Sequence, residues 1–329
     1  MIWGCVLAVW IISSSAQSAV ADDRRDNGQM ISLIRPVAET VGQSVVQVLS
    51  DRRPVGLGTV VSNDGFLITK LSELRIGKSI RVRLGDGRLE PARKVAERRQ
   101  HDLAMLRIES GVGVRPLSLT NKTVPIASFL ISVGRTGRPL GIGVVGVNPR
   151  PIDHQGRLGV MLEDGSNGRA LVQTVWPKSG ADRAGVKHGD LIVAVNGRNQ
   201  DSRTAVIDSL RGMYPGERVQ LSIERPVESG GFNSMNITAR IREFNVLRES
   251  ESDTKVNGAR NARLSGFDEV IQHDTVLDPG ECGGPIIDTS GRVIGINIAR
   301  AGRVVSYALP SSLVIPAVES MLAEARAAN

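Results

Sequence analysis

The turn from residue 279 to residue 285, Pro-Gly-Glu-Cys-Gly-Gly-Pro, constrains this chain more than any other feature. A β-like run precedes it, and a second run follows from Pro285 to Ile298. Three glycines surround Cys282, and glycine allows tight turns with exposed backbone amides. A reactive side chain on such a turn is how a nucleophile is presented beside an oxyanion hole. A glycine-rich hairpin with one incidental cysteine is the alternative interpretation.

The composition favours strands with an aliphatic core. Of the 329 residues, 41% are hydrophobic but only 3% are aromatic, so the core must consist mainly of Val, Ile and Leu, which favour strands. This length accommodates two or three domains. The net charge of +7 is spread along the chain among 34 acidic residues, and no run combines basic with aromatic side chains. These features argue against nucleic-acid binding and indicate a solvated basic surface.

The first residues have the pattern of a secretory signal. An apolar run from Ile2 to Ile12 is followed by serines and small residues, so residues 1–21, Met1 to Ala21, are predicted to be removed on export. An uncleaved membrane anchor is the alternative, because no Lys or Arg precedes the apolar run. After cleavage Cys282 would be the only cysteine. A lone thiol in an oxidising compartment favours a functional role.

Two further segments extend the pattern around the cysteine turn. Gly56 to Thr69 is a predicted hairpin with an Asn-Asp-Gly turn, and Asp102 precedes the apolar run Leu103 to Ile108. Together with the cysteine turn, these segments resemble HtrA-type proteases, which have the trypsin-like double-barrel fold.

The resemblance implies roles for individual positions. Cys282 stands at the nucleophile position, which is Ser in the family, and Asp102 at the position of the triad acid. The amides of Gly280 and Cys282 would point at the substrate carbonyl oxygen. The family's general base lies in a Leu-Thr-Asn-x-His-Val segment, and here Ser72 occupies the position of that histidine.

The centre of the chain resembles a PDZ domain of the kind found in bacterial HtrA proteins. Trp176 to Gly197 follows the PDZ pattern almost throughout. The resemblance implies that Arg157, Leu158, Gly159 and Val160 form the loop whose amides cap a peptide's terminal carboxylate, while the peptide pairs as an added strand. A PDZ fold that serves only internal packing is the alternative.

The expected fold class is therefore mostly β: a trypsin-like double β-barrel with a PDZ domain inserted into the second barrel. The expected boundaries are a signal peptide over 1–21, an N-terminal helix and first barrel over 22–110, the first part of the second barrel over 111–154, the PDZ domain over 155–243, a linker over 244–264, and the second part of the second barrel with a C-terminal helix over 265–329.

Three local expectations accompany this organisation. Apolar residues from Met30 to Val41 have helical spacing, with a predicted break at Pro36. Residues 246–264 are polar and lack periodicity, which predicts a linker. A final helix is predicted from about Ile315, with Pro316 in its first turn.

The substitutions at two triad positions favour an inactive protease homologue. Loss of the base in a serine hydrolase of this type costs on the order of 10⁶ in turnover. Cysteine depends less on a base, because a free thiol is partly ionised at neutral pH. His101, beside Asp102 on a predicted strand, is interpreted as a surface or satisfied structural residue. His273 is nearest to Cys282 in sequence but does not stand at the base position.

The expected function is that of a cell-envelope protein, secreted or periplasmic, that binds peptides or unfolded chains by their free C-termini. It could form a homo-oligomer. The alternatives are an active cysteine- or serine-type endopeptidase of protein quality control and a thiol redox sensor through Cys282. No cofactor is expected, and no metal, because no paired ligand spacing occurs. Ser72→His is expected to raise the reactivity of Cys282 by placing an imidazole between it and Asp102.

Overall fold

A computed structural model describes residues 27–74, 77–109, 113–165 and 168–328. The predicted signal at 1–21 lies outside these residues. The described chain is mostly β and its named strands pair antiparallel, which confirms the predicted class. No helix of the described residues is long and apolar enough to cross a membrane.

A closed barrel forms first, with the strand order β1-β2-β3-β6-β5-β4. The alternation of aliphatic residues fills its interior with a cluster that includes Val48, Leu67, Val82 and Leu106. The Asn-Asp-Gly turn joins β2 to β3 as predicted. The strands are β1 (Val45–Ser50), β2 (Arg53–Val60), β3 (Phe66–Lys70), β4 (Ile80–Arg83), β5 (Leu89–Arg98) and β6 (Leu103–Ile108).

A seven-stranded sheet follows, with the order β8-β7-β19-β20-β21-β18-β9. A β-bridge between Val145 and His273 joins the end of edge strand β8 to β18, near the opposite edge. The sheet is built from two parts of the sequence. Its strands are β7 (Phe129–Val133), β8 (Pro139–Val144), β9 (Arg150–Ile152), β18 (Phe267–His273), β19 (Pro285–Asp288), β20 (Val293–Gly302) and β21 (Val305–Pro310).

A third sheet lies between these two parts, in the order β11-β12-β13-β15-β16, with β14 paired to β13. The two ends of the segment that forms this sheet meet in a separate two-stranded sheet, where Gly156 in β10 pairs with Glu243 in β17. Adjacent ends allow a segment to be inserted into a host fold. The strands of the third sheet are β11 (Val160–Asp164), β12 (Ala170–Val175), β13 (Leu191–Val195), β14 (Arg198–Asn199), β15 (Arg218–Pro226) and β16 (Phe232–Arg240), and the separate pair is β10 (Gly156–Arg157) and β17 (Arg242–Glu243).

Helices cover the sheets at several places. Helix α6 carries Val314, Val318 and Met321 into a core that both barrels share, and α3 buries Val206 against the third sheet. The helices are α1 (Gly28–Gly42), α2 (Gly180–Ala184), α3 (Arg203–Arg211), α4 (Phe244–Leu247), α5 (Glu251–Asn257) and α6 (Ser311–Ala327).

The predicted break at Pro36 is wrong: α1 runs through it without interruption. A proline inside a helix costs roughly 3 kcal/mol. Burial of Ile34, Ala38 and Val41 against strands of the second sheet offsets that cost, because tertiary packing supplies most helical stability.

Two other local expectations need correction. Helix α6 begins at Ser311, four residues before the predicted start, so Pro316 lies in its second turn. The helix begins with two polar residues, Ser311 and Ser312, so the apolar pattern does not show where it starts. The predicted linker contains α4 and α5, and α5 begins with a capping box between Ser250 and Asp253, which satisfies amides that a helix end leaves unpaired.

Candidate functional site

The cysteine turn lies where the two barrels meet. A 3-10 turn covers Pro279–Glu281, and the carbonyl of Cys282 accepts a hydrogen bond from the Leu57 amide at 2.8 Å. Gly283 has φ +98°, and a Cβ there would lie 2.0 Å from the Leu57 carbonyl oxygen. Glycine is therefore required, because the turn packs directly on the backbone of β2.

The Cys282 thiol is fully buried. It donates a hydrogen bond to Oδ1 of Asn261 at 3.2 Å. Burial raises the pKa of Cys282 to about 12, although the charge of Lys70 acts in the opposite direction. The reactive form of cysteine is the thiolate. The thiol is thus neutral at physiological pH and inaccessible in this conformation.

The predicted oxyanion-hole geometry is not present at Cys282. Its amide donates to the carbonyl of Pro279 at 3.4 Å, inside the 3-10 turn, instead of pointing outward to a substrate oxygen. Gly280 is exposed, and a Cβ there would meet nothing within 4 Å.

Asp102 lies at the end of a 3-10 turn, with a left-handed φ of 56°, and is buried. Its carboxylate accepts hydrogen bonds from the Ser72 amide at 2.7 Å and the Ser72 hydroxyl at 2.9 Å. The Lys70 ammonium forms a buried ion pair with the same carboxylate and donates to the Ser72 hydroxyl at 3.1 Å. The structure therefore brings Ser72 and Asp102 together. The Asp102 carboxylate, which would orient the base in a triad, is instead paired with the Lys70 ammonium.

Sequence reasoning missed Lys70, although a signal was present. Lys70 ends the apolar strand β3 and stands where the resembling family segment has Asn. A charged residue with no visible partner at the end of a fully buried strand needs an opposite charge. Asp102, 32 residues later, is that charge.

The two histidines considered in the sequence are both buried. His101 lies in a 3-10 turn and not on a strand, so the predicted surface position is wrong. Its Nε2 contacts Gln100 Nε2 at 3.1 Å, whereas its Nδ1 has no hydrogen-bond partner in the described part of the chain. Burial lowers its pKa below 6.5. His273 contacts Thr275 Oγ1 through Nδ1 at 2.9 Å, and burial lowers its pKa to about 4.

The third sheet contains the loop predicted to hold a peptide carboxylate. Leu158 is buried, and Gly159 has φ +88°, with Ser179 only 2.2 Å from the position of an added Cβ. Val160 opens β11, which pairs only with β12 among the described strands. Arg157 lies in β10, with its guanidinium 5.9 Å from the Phe244 ring centroid. One edge of β11 is thus open for an added strand.

The third sheet also contacts Ser72, at one of the predicted catalytic positions. Arg240, at the end of β16, donates to the Ser72 carbonyl at 2.8 Å. Glu217 binds Arg99 through two hydrogen bonds of 2.6 and 2.7 Å. A cleft of about 1270 Å³ lies between the first barrel and this sheet, with Ser72 and Asp102 in its lining.

Comparisons with known proteins agree with this architecture. The PDZ-domain family profile matches residues 140–242. Serine protease HTRA1 of Xenopus tropicalis is 29% identical over 206 residues, covering 61% of this chain and 37% of the relative. A probable periplasmic serine endoprotease DegP-like of Chlamydia trachomatis is 37% identical over 115 residues, covering 35% of this chain and 22% of the relative. The chain is similar to HtrA- and DegP-type serine proteases, and its central segment matches the PDZ-domain family.

The probable periplasmic serine endoprotease DegP-like of Halomonas elongata is 23% identical to this HtrA-like chain over 316 residues, covering 70% of the chain and 65% of the relative. The chain spans little more than a third of the length of the first relatives it matches. These similarities confirm the predicted HtrA resemblance and imply a trypsin-like fold for the two barrels. The profile match begins within β8, which pairs with β7, so 155–243 stays a proposed boundary.

Proposed function

We propose that this HtrA-like protein binds peptides through its PDZ domain and does not cleave them. The absence of cleavage is inferred from the contacts at the predicted catalytic positions. Asp102 is paired with Lys70, and Cys282 is buried against Asn261. A serine hydroxyl at position 72 cannot serve as a base near neutral pH.

The ligands are peptides or unfolded chains with a free C-terminus. Gly159, which has a positive φ, lies in the loop whose amides are predicted to bind the carboxylate, and β11 has an unpaired edge among the described strands. Peptides that add to a sheet edge gain backbone hydrogen bonds, and loop amides bind the terminal carboxylate. The DegP-like relatives are described as periplasmic, and together with the predicted signal this supports an extracytoplasmic location.

Two observations disfavour the alternatives. An endopeptidase needs an accessible nucleophile, and Cys282 is buried with its pKa raised to about 12 by burial. A redox sensor needs an accessible thiolate as well. Both alternatives therefore require a different conformation, in which Cys282 is exposed.

Peptide binding is tested by fluorescence anisotropy with the full chain and two peptides that differ only in C-terminal amidation. Loss of the terminal charge should weaken binding by at least about 1 kcal/mol, roughly fivefold. Gly159→Ala should weaken it similarly, because the added Cβ would overlap Ser179. Gly197→Ala is the matched control, since Gly197 also has positive φ but open space around it. Equal affinity for both peptides would refute the groove assignment.

The absence of cleavage is tested with unfolded casein. The wild type should show no hydrolysis above that of Cys282→Ala. Casein cleavage by the wild type that Cys282→Ala abolishes would establish a cysteine endopeptidase instead.

A further inference from the structure

The segment of residues 258–263, here called the cleft segment, follows α5 and leads back to the second barrel. Its composition is that of a polar linker, yet Asn261 is 5% exposed and Arg263 is 1% exposed. Buried polar side chains in an ordinary linker would be costly unless they were hydrogen-bonded. The cleft segment therefore has contacts that a mere connection does not need.

Asn261 binds both the cysteine turn and the neighbouring strand. Its Oδ1 accepts from the Cys282 thiol at 3.2 Å and from the Arg300 amide at 2.8 Å. Its own amide donates to the Arg300 carbonyl at 3.3 Å. Its Nδ2 donates to the Pro279 carbonyl at 3.1 Å. Asn261 thus bonds the backbone of β20 while its carboxamide covers the nucleophile position.

The cleft segment is also hydrogen-bonded to the first barrel, on the opposite side of the cleft. The Glu73 carboxylate accepts from Asn261 Nδ2 at 3.1 Å and from the Ala262 amide at 2.9 Å. Glu73 directly follows Ser72 at the substituted base position. The cleft segment is therefore bonded to the first barrel on one side and to the second barrel on the other.

Arg263 anchors the end of the cleft segment. Its guanidinium donates to the Gln100 carbonyl at 2.7 Å and to the Arg99 carbonyl, which also accepts from the Asp102 amide. It lies 3.8 Å from the Tyr214 ring centroid and 4.6 Å from that of Phe267. Such cation–π contacts strengthen when water is excluded. One buried side chain thereby joins the first barrel, the PDZ sheet and β18.

We propose that the cleft segment occupies the space between Glu73 of the first barrel and the cysteine turn of the second, here called the protease-like cleft, and closes it over Cys282 by hydrogen bonds from Asn261. Its opening, and not the global unfolding of the chain, controls access to the thiol. This proposal concerns the cleft and does not depend on peptide binding by the PDZ domain.

The first measurement uses the wild-type full chain and hydrogen exchange followed by mass spectrometry. The backbone amides of Asn261 and Ala262 donate hydrogen bonds to the Arg300 carbonyl and to the Glu73 carboxylate. Peptides that contain residues 258–264 should therefore exchange at least 100-fold more slowly than an unstructured chain. Exchange at the unstructured rate would overturn the proposal, since a free linker is unprotected.

The second measurement is alkylation of Cys282 by iodoacetamide in Asn261→Ala and Glu73→Ala, which remove the bonds from opposite sides. Mass spectrometry of the digested chain distinguishes Cys282 from Cys5. Each folded variant should react at least tenfold faster than the wild type. Asn233→Ala is the matched control, because Asn233 is exposed on β16, and it should react at the wild-type rate.

Repeating the alkylation in low concentrations of urea separates local from global opening. Local opening exposes little surface, so the accelerated rate should depend only weakly on urea. Wild-type rates in both folded variants would overturn the proposal. So would rates that rise with urea as steeply as the global unfolding equilibrium, because the thiol would then react only in unfolded chains.

Discussion

The two clefts that could receive a peptide differ in what occupies them. At the PDZ groove, β11 has one partner strand in the described chain, and its other edge is open. Beside Cys282, the backbone of β20 already bonds Asn261 of the same chain. Both clefts offer backbone groups to an extended peptide. A segment of the same chain has a high effective concentration, so it can keep one such cleft closed while the other stays open.

The two clefts also differ in their charged groups. The catalytic side contains a buried ion pair between Lys70 and Asp102, with side chains only 1% and 2% exposed. The PDZ loop depends on backbone amides and on the positive φ of Gly159. Changes to buried charges should therefore damage the catalytic side and leave peptide binding in place.

The largest effect is expected for Lys70→Met. Removing one partner of a buried ion pair leaves an uncompensated charge and should cost about 3–5 kcal/mol of unfolding free energy, measured by urea denaturation. Lys78→Met is the matched control, because the Lys78 side chain is 53% exposed and lies 3.9 Å from Asp51. A loss no greater than that of the control would show that the pair does not stabilise the catalytic side.

An acid-sensitive effect of similar size is expected at His273. Burial lowers its pKa from 6.5 to about 4, so the folded chain favours the neutral ring. The stability from this residue is present above pH 6.5 and is lost as the pH falls from 6.5 to 4, by about 3 kcal/mol at most. Urea denaturation across this range should show a shallower pH dependence for His273→Gln than for the wild type.

The control for this prediction is His188→Gln, since His188 lies exposed in the PDZ sheet region. It should retain the wild-type pH dependence. The same dependence in His273→Gln as in the wild type would assign the acid sensitivity to other groups.

The smallest effect is expected for Ser72→His alone. The sequence predicts that an imidazole between Asp102 and Cys282 activates the thiol, but Lys70 holds the carboxylate and Asn261 covers the sulfur. Alkylation of Cys282 at pH 7 should therefore change by less than about threefold, because the thiolate stays disfavoured by burial. Adding Lys70→Asn and Asn261→Ala to the Ser72→His variant should lower the pKa of the Cys282 thiol, measured from the pH dependence of alkylation. A large gain from Ser72→His alone would contradict the described pairing.

Local patterns predicted much of this fold. The Asn-Asp-Gly hairpin, the alternating aliphatic strands and the run from Trp176 to Gly197 each contain their structural signal within a short segment. The break predicted at Pro36 is absent because packing of α1 against the second sheet outweighs the cost of a proline in a helix. The local sequence does not show that packing. The capping box of α5 was readable in Ser250 and Asp253.

Sequence patterns predicted which residues stand at the catalytic positions and that a PDZ-like segment divides the second barrel. The contacts of those residues depend on how distant parts of the chain pack together. Lys70 reaches Asp102 across two neighbouring strands of the first barrel, and Asn261 reaches Glu73 across 188 residues. Such contacts arise from the closure of the barrels and the return of the chain after the PDZ sheet. Their charges and hydrogen bonds depend on burial, which short sequence patterns do not specify.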